Sequence, residues 1–226
     1  FTSDYTGGDA TYSWTFGDGG TSNLPNPTYS YTTPGDYTVT LTITTTLGCV
    51  ASSSHTVEIH PLPNANFAHT GPACLNQEVE FTNLSTSPNG TIDTWVWDFG
   101  DGTTVTINAP DSPDVTHLYA NDGTFDVVLT VTDVEGCESS VTKQVIVVNS
   151  PIADFTYDES CYNEPVIFTD ISTTNSGADI QSWYWDFGDP ASGTNNTSNL
   201  QNPSHVFTSP GTYTTTLIIV STFGCS

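Results

Sequence analysis

The sequence predicts an all-β chain built of three β-sandwich repeats in tandem, and three observations carry that expectation. The dipeptide Gly-Cys recurs at Gly48-Cys49, Gly136-Cys137 and Gly224-Cys225, at an interval of 88 residues both times, which marks a repeated structural unit. Ahead of each Gly-Cys runs a stretch of period-two alternation, as in a strand with one buried face. No segment sustains a helical period, and turn residues interrupt the chain about every ten residues, as in a sandwich of roughly 85 to 90 residues.

The strands before the Gly-Cys dipeptides are the clearest elements. In repeat 1, Tyr37, Val39, Leu41 and Ile43 share one face and Thr38, Thr40, Thr42 and Thr44 the other, after the turn Pro34-Gly35-Asp36. Phe125, Val127, Leu129 and Val131 repeat the pattern after Asn121-Asp122-Gly123, and Tyr213, Leu217 and Ile219, with Thr215 among them, after Ser209-Pro210-Gly211. An aromatic strand stands upstream in each repeat. Trp95, Trp97 and Phe99 alternate, as do Trp183, Trp185 and Phe187, with Trp14 and Phe16 in repeat 1, so each set points to one face. Facing a Tyr/Val/Leu strand, they read as inter-sheet core rather than as a sugar-stacking platform. Gly100-Asp101-Gly102 supplies a tight turn after that strand, and His117 and His205 read as turn or packing residues.

The expected domains are 1–60, 61–148 and 149–226, joined by short proline-bearing linkers at His60-Pro61-Leu62-Pro63-Asn64 and Asn149-Ser150-Pro151. Aligned on repeat 2, repeat 1 lacks its opening strand and repeat 3 lacks the counterpart of Ser139 to Val148. A window on a longer array is the preferred explanation, and edge strands donated by adjacent subunits the alternative.

Composition narrows the function. There are 25 acidic residues against one basic residue, Lys143, for a formal net charge of −24. Nucleic acid and anionic membrane surfaces are therefore repelled, and no stretch approaches the roughly 20 apolar residues of a membrane span. The scattered acids read as a solvated surface in preference to a cation-binding face. One lysine leaves a trypsin-like protease one cleavage point and leaves repeats 1 and 3 without the amine of a Lys–Asn isopeptide crosslink.

Covalent reinforcement then falls to cysteine. Cys74 and Cys137 are 63 residues apart in repeat 2, and Cys161 and Cys225 are 64 apart at equivalent positions in repeat 3, which predicts a Cys74–Cys137 and a Cys161–Cys225 bridge. Cys49 is left over, and its partner is expected upstream of the chain. Two cysteines per repeat, with no CxxC and no matched histidine pair, do not complete a zinc site. Bridges of this kind imply an exported, oxidising location, extracellular or at the cell surface.

Trp97-Asp98-Phe99-Gly100-Asp101-Gly102, Trp185-Asp186-Phe187-Gly188-Asp189 and the looser Trp14-Thr15-Phe16-Gly17-Asp18-Gly19 resemble the WDFGDG signature of PKD (polycystic kidney disease) domains. Asn26-Pro27, Tyr31, Pro34-Gly35 and the run from Tyr37 to Ile43 resemble that family's second signature, as do Asn202-Pro203, Phe207, Pro210-Gly211 and Tyr213. The resemblance covers essentially the whole chain. It implies immunoglobulin-like seven-stranded sandwiches that act as spacer, adhesive or interaction modules. The added cysteine pair resembles repeats of large bacterial surface and gliding-associated adhesins. Departures are Thr15 in place of the motif's Asp, and Gly-Asp-Pro with an Asn/Ser/Thr-rich loop from Ala191 to Asn199 in repeat 3.

Some PKD domains bind calcium, and Asp98, Asp101 and Asp133 are the candidate oxygen ligands here. Thr45 and Ser221 stand at the positions equivalent to Asp133, which makes repeat 2 the best candidate and the other repeats poorer ones. No nucleophile elbow, phosphate loop or zincin helix occurs, so no catalytic residue is expected. The leading expectation is an extracellular rod or filament segment whose partners are neighbouring repeats or copies of itself, and surface glycans or proteins. The alternative is an accessory substrate- or carbohydrate-binding region of a larger secreted hydrolase. Asn83, Asn89, Asn195 and Asn196 match the N-x-Ser/Thr pattern.

Overall fold

The turn clusters Pro34-Gly35-Asp36 and Asn121-Asp122-Gly123 each run straight into a long strand. The computed structural model describes residues 1–174 and 177–226. They form two compact units: Phe1–Ala65 with Ser85–Thr94 and Val131–Ser139, and Asn66–Leu84 with Trp95–Thr130 and Ser140–Ser226. The first holds repeat 1 and one end of repeat 2; the second holds the remainder of repeat 2 and repeat 3.

Repeat 1 is a four-stranded sheet of β1 (Ala10–Thr15), β2 (Thr21–Ser22), β3 (Gly35–Thr45) and β4 (Val50–Ile59), in the order β2-β1-β3-β4. Trp14 pairs with Leu41 across β1 and β3, so the aromatic and aliphatic faces coincide. Trp14, Phe16 and Val39 are buried there, with Phe1 tilted against both aromatic rings.

Repeat 2 is the full sandwich. One sheet has the order β10 (Val115–Leu118), β7 (Glu78–Asn83), β5 (Phe67–His69). The other runs β6 (Ala73–Cys74), β12 (Glu138–Val148), β11 (Gly123–Asp133), β8 (Ile92–Asp98), β9 (Thr104–Asn108). Val127, Leu129 and Val131 of β11 are fully buried, which is what alternation over a two-layer core requires. Phe67 and Phe81 come from one sheet and Trp97 and Phe99 from the other, and their rings meet at centroid distances of 5.2 to 6.1 Å. Such pairs contribute about 0.5–1.5 kcal/mol each beyond the burial of their area.

Repeat 3 has two three-stranded sheets. They are β13 (Phe155–Tyr157), β14 (Val166–Asp170) and β17 (Ser204–His205), and β16 (Thr197–Ser198), β15 (Ile180–Asp186) and β18 (Thr216–Ser221). Phe168, Trp185, Phe187, Leu217 and Ile219 form its core. The alternation predicts a strand from Tyr213, yet β18 begins at Thr216. Its counterparts β3 and β11 each lie between two strands, whereas β18 is an edge of its sheet, so its first half has a neighbour on one side at most. The Asn/Ser/Thr-rich loop contains a short 3-10 segment, Pro190–Asn196, opened by the proline at its first position.

The cysteine pairing differs from the sequence expectation. Cys74 is bonded to Cys225, with Cα atoms 5.6 Å apart, and Cys49, Cys137 and Cys161 are free thiols. The predicted Cys74–Cys137 and Cys161–Cys225 bridges are therefore corrected, for a geometric reason. Cys137 immediately precedes β12, and Cys74 lies beside Val148, the last residue of that 11-residue strand. At about 3.3 Å per residue the two are on the order of 35 Å apart, against the roughly 7 Å a disulfide can span. Cys161 and Cys225 hold the equivalent two positions in repeat 3. Equal spacing reports that each repeat carries the same two cysteines, not that those two meet.

Candidate functional site

The Gly-Asp turn after the aromatic strand is built alike in all three repeats. Gly17, Gly100 and Gly188 have φ of +86°, +77° and +70°. A Cβ there would sit 2.9 Å from the Thr38 backbone, 2.7 Å from the Asp126 carbonyl oxygen or 2.4 Å from that of Thr214. Glycine therefore lets the turn lie directly on β3, on β11 and on the chain leading into β18. Asp98 and Asp186 accept the N–H of Gly100 and Gly188, both at 2.9 Å, and so close the turn from within. Thr15 stands in that place in repeat 1.

The second aspartate of each motif faces an aromatic ring. Asp18 accepts from the Tyr29 hydroxyl at 2.8 Å, Asp101 lies 2.7 Å from His117 Nε2, and Asp189 lies 3.2 Å from His205 Nε2. Asp189 also accepts from the Thr208 N–H and hydroxyl. Burial pulls the carboxyls of Asp101 and Asp189 upward, but the bonds from Thr103 and His117, and from Thr208 and His205, outweigh it and hold both below their ordinary value.

These rings begin a stack that recurs three times. Phe16, Tyr29, Tyr31 and Tyr37 run stacked, edge-on, stacked at 3.8, 5.1 and 4.2 Å. Phe99, His117, Tyr119 and Phe125 do so at 4.0, 4.6 and 4.4 Å, and Phe187, His205, Phe207 and Tyr213 at 4.4, 4.6 and 4.1 Å. The indole N–H groups of Trp14, Trp97 and Trp185 donate to the carbonyls of Leu24, Pro113 and Leu200 at 3.0, 3.1 and 2.9 Å. Asn26, Asp114 and Asn202 in turn accept the backbone N–H of Ser3, Asn83 and Asp170. The two sequence signatures are thus one structural object, a clasp between aromatic strand, turn and the following chain. The six signature aromatics are all buried, at 5% exposure or less.

The three proposed calcium ligands do not converge. Asp98 and Asp101 belong to the Gly-Asp turn, whose Gly100 abuts Asp126, whereas Asp133 ends β11 seven residues beyond Asp126. Seven strand residues span about 23 Å. Asp133 is 1% exposed, and its carboxylate accepts from Ser87 Oγ, Asn89 Nδ2 and the N–H groups of Glu135 and Cys137, at 2.8 to 3.1 Å. Burial raises this carboxyl, and the four bonds overcome that and hold it low. Its oxygens brace the Gly-Cys turn rather than face a cavity. Among the described residues no group of three or more His, Cys, Asp or Glu is placed to hold a metal ion. The residues do not fit a calcium site made of Asp98, Asp101 and Asp133.

The model of the family described as "PKD domain" matches residues 1–61, 60–149 and 148–226. This chain belongs to the PKD domain family. Its PKD repeats are 38% identical over 97 residues to Collagenase ColA of Bacillus cereus, across 42% of this chain and 9% of that protein. They are 31% identical over 148 residues to Pre-pro-metalloprotease PrtV of Vibrio cholerae, across 63% of this chain and 15% of that protein. Among solved structures, the PKD1 domain of that Vibrio cholerae metalloprotease is 30% identical, covering 38% of this chain and 98% of that domain with a TM-score of 0.34. The chain thus spans a small part of the curated relatives it matches.

Sequence reading finds the signature aromatics but not the pairing of Asp101 with His117 or Asp189 with His205. A signal was present: His117 and His205 each stand two residues before the aromatic of the second signature, where repeat 1 has Tyr29. No helix among the described residues is long and apolar enough to cross a membrane.

Proposed function

We propose that this chain is a non-catalytic spacer and surface-contact segment of an extracellular protein, a stretch of stiffly joined PKD domains. The observation that carries the reading is the Cys74–Cys225 bond, which ties repeat 2 to repeat 3 rather than closing either repeat on itself. A bond across a junction resists bending and separation, which matters to a spacer and not to a catalyst. The high negative charge, with one basic residue, supports solubility of an extended array and few trypsin-type cleavage points. Pulling the chain by its ends in a force spectrometer tests the reading. The bridge encloses 151 residues of sequence separation, so the oxidised chain should withhold about 500 Å of extension that a reductant releases. Equal extension with and without reductant would count against a tension-bearing spacer.

The names of the curated relatives favour a second reading, an accessory segment of a larger secreted protease. Retention on immobilised collagen or on a glycan array separates the two. A spacer passes through both, whereas saturable binding lost on substituting exposed aromatics such as Tyr157 and Tyr184 supports the accessory role.

A further inference from the structure

Every cysteine of the chain sits on one of two turns, and the structure shows how the two turns meet. In the first kind, the Gly-Cys turn, the N–H of Thr45, Asp133 or Ser221 donates to the carbonyl of Cys49, Cys137 or Cys225 at 2.9, 3.0 and 2.9 Å. The cysteine N–H returns to the Thr45 hydroxyl, the Asp133 carboxylate or the Ser221 hydroxyl at 3.1, 2.9 and 3.2 Å. Gly48, Gly136 and Gly224 have φ of +80°, +79° and +81°. In the second kind, the Cys-x-Asn turn, Gln77 and Glu164 donate to the carbonyls of Cys74 and Cys161 at 3.0 and 3.1 Å, with Asn76 and Asn163 at φ of +66° and +68°. The Cys74–Cys225 bond joins one turn of each kind, from successive repeats.

We propose that Cys161 and Cys49 are the two open halves of this same junction, and that the Cys-x-Asn turn of repeat 3 takes the Gly-Cys turn of another repeat of this kind in a head-to-tail disulfide. In the isolated chain the partner is a second copy. Both thiols are exposed. The apolar contact of the formed junction supports the match: Phe223 packs on Cys74, Val148 and Cys225, while its counterpart beside Cys49, Leu47, is 91% exposed and Val50 is 65% exposed. Tyr162, next to Cys161, is 64% exposed. Cys137 is the poorer candidate, because the counterpart of Phe223 there is Glu135, 3.7 Å from His60 Nε2 of repeat 1, and the cysteine is half-buried. A contact between unlike patches propagates rather than closes, so it builds chains of copies.

The step is a thiol–disulfide exchange that needs a disulfide oxidant, for which oxidised glutathione serves. The thiolate of one cysteine attacks a glutathione sulfur, forming a mixed disulfide and expelling one glutathione thiolate. The second protein thiolate attacks the protein sulfur of that mixed disulfide and expels the other glutathione. One S–S bond forms and one is lost, two electrons pass to glutathione, and the two thiol protons end on the two reduced glutathiones.

This proposal deepens the spacer reading and rests on it for the oxidising setting. The test uses the whole 226-residue chain in a C137S background, exposed to a glutathione redox buffer and resolved on non-reducing gels. The expected result is a ladder at multiples of 24.1 kDa, with a Cys49–Cys161 peptide on mass spectrometry. Adding C49S or C161S should each give monomer alone, and mixing those two variants should give one dimer band. A chain that stays monomeric, homotypic Cys49–Cys49 or Cys161–Cys161 links, or a Cys161–Cys225 link within one chain would overturn it. A ladder from a chain that also binds collagen saturably would sink the spacer reading and leave this junction standing.

Discussion

At the scale of single residues, the Gly-Asp turn separates two reasons for glycine. Gly100 and Gly102 both have positive φ, +77° and +93°, but a Cβ on Gly100 meets the Asp126 backbone whereas one on Gly102 meets open space. G102A should cost the left-handed penalty alone, about 1–2 kcal/mol, and G100A should cost clearly more, because a strand backbone cannot step aside. Urea titration of repeat 2 fluorescence reads both, and equal losses would show that close packing of the turn on β11 is not what demands glycine. Asp133 supplies a second test. Against the upward pull of burial, the bonds from Asn89, Ser87, Cys137 and Glu135 hold its carboxyl below the ordinary carboxylate value, so its contribution to stability is complete above the unfolded-state value and lost as pH falls through the folded one. D133S imports the residue that repeat 3 uses at this position. The variant should melt below the parent at pH 7, and the gap should close as pH falls from about 4 downward. A gap that is constant with pH would mean the carboxylate charge is not what holds the Gly-Cys turn.

At the scale of elements, alternation located the strands because a sandwich buries alternate residues whatever their partner. β3 and β11 fall where Tyr37 and Phe125 predict, and Trp97 and Trp185 are wholly buried for the same reason. What alternation does not encode is which ends of a repeat face each other. Spacings of 63 and 64 residues therefore suggest closed loops, although in repeat 2 a strand of 11 residues stands between the ends they connect. The calcium expectation meets the same limit, since the turn that holds Asp101 packs on β11 at Asp126 whereas Asp133 lies seven residues further along that strand. The clasp of His117 on Asp101 is carried by the fixed place of the histidine two residues before Tyr119, not by alternation, because a side-chain bond between a turn and a following strand leaves no period-two trace. Lys143 shows an element-level device that composition alone disguised. From β12 its ammonium donates to Asn66 Oδ1 and to the Phe67 carbonyl, and lies 5.1 Å from the Phe67 ring, so it pins one sheet of repeat 2 to the other. K143M keeps the stem and loses the charge-assisted bonds, an expected cost of about 2 kcal/mol in the urea midpoint of repeat 2. The parent should resist trypsin until repeat 2 unfolds, since its one cleavage point lies within a paired strand. Rapid cutting of the native chain would contradict the placement of Lys143 in the sandwich.

At the scale of the whole molecule, the decisive term is where the sulfur bond is anchored. A bridge inside one repeat would stabilise that repeat alone, and its loss would leave the neighbour untouched. The Cys74–Cys225 bond has one end in repeat 2 and the other in repeat 3, with a sequence separation of 151 residues. Closing a loop that long removes up to about 5 kcal/mol of denatured-state entropy in the chain-entropy model, and that stabilisation belongs jointly to both repeats. C225S should therefore lower the denaturant midpoints of repeats 2 and 3 together and leave repeat 1 where it was. C74S should reproduce the result, and the double variant should add nothing further, because either substitution already opens the loop. Differential scanning calorimetry on the four proteins, with tryptophan fluorescence as a second probe, reads the coupling directly. A C225S chain in which repeat 3 alone is weakened, while C74S weakens repeat 2 alone, would mean that each sulfur serves its own sandwich. The junction would then have to owe its stiffness to the short proline-bearing linker at Asn149-Ser150-Pro151 instead.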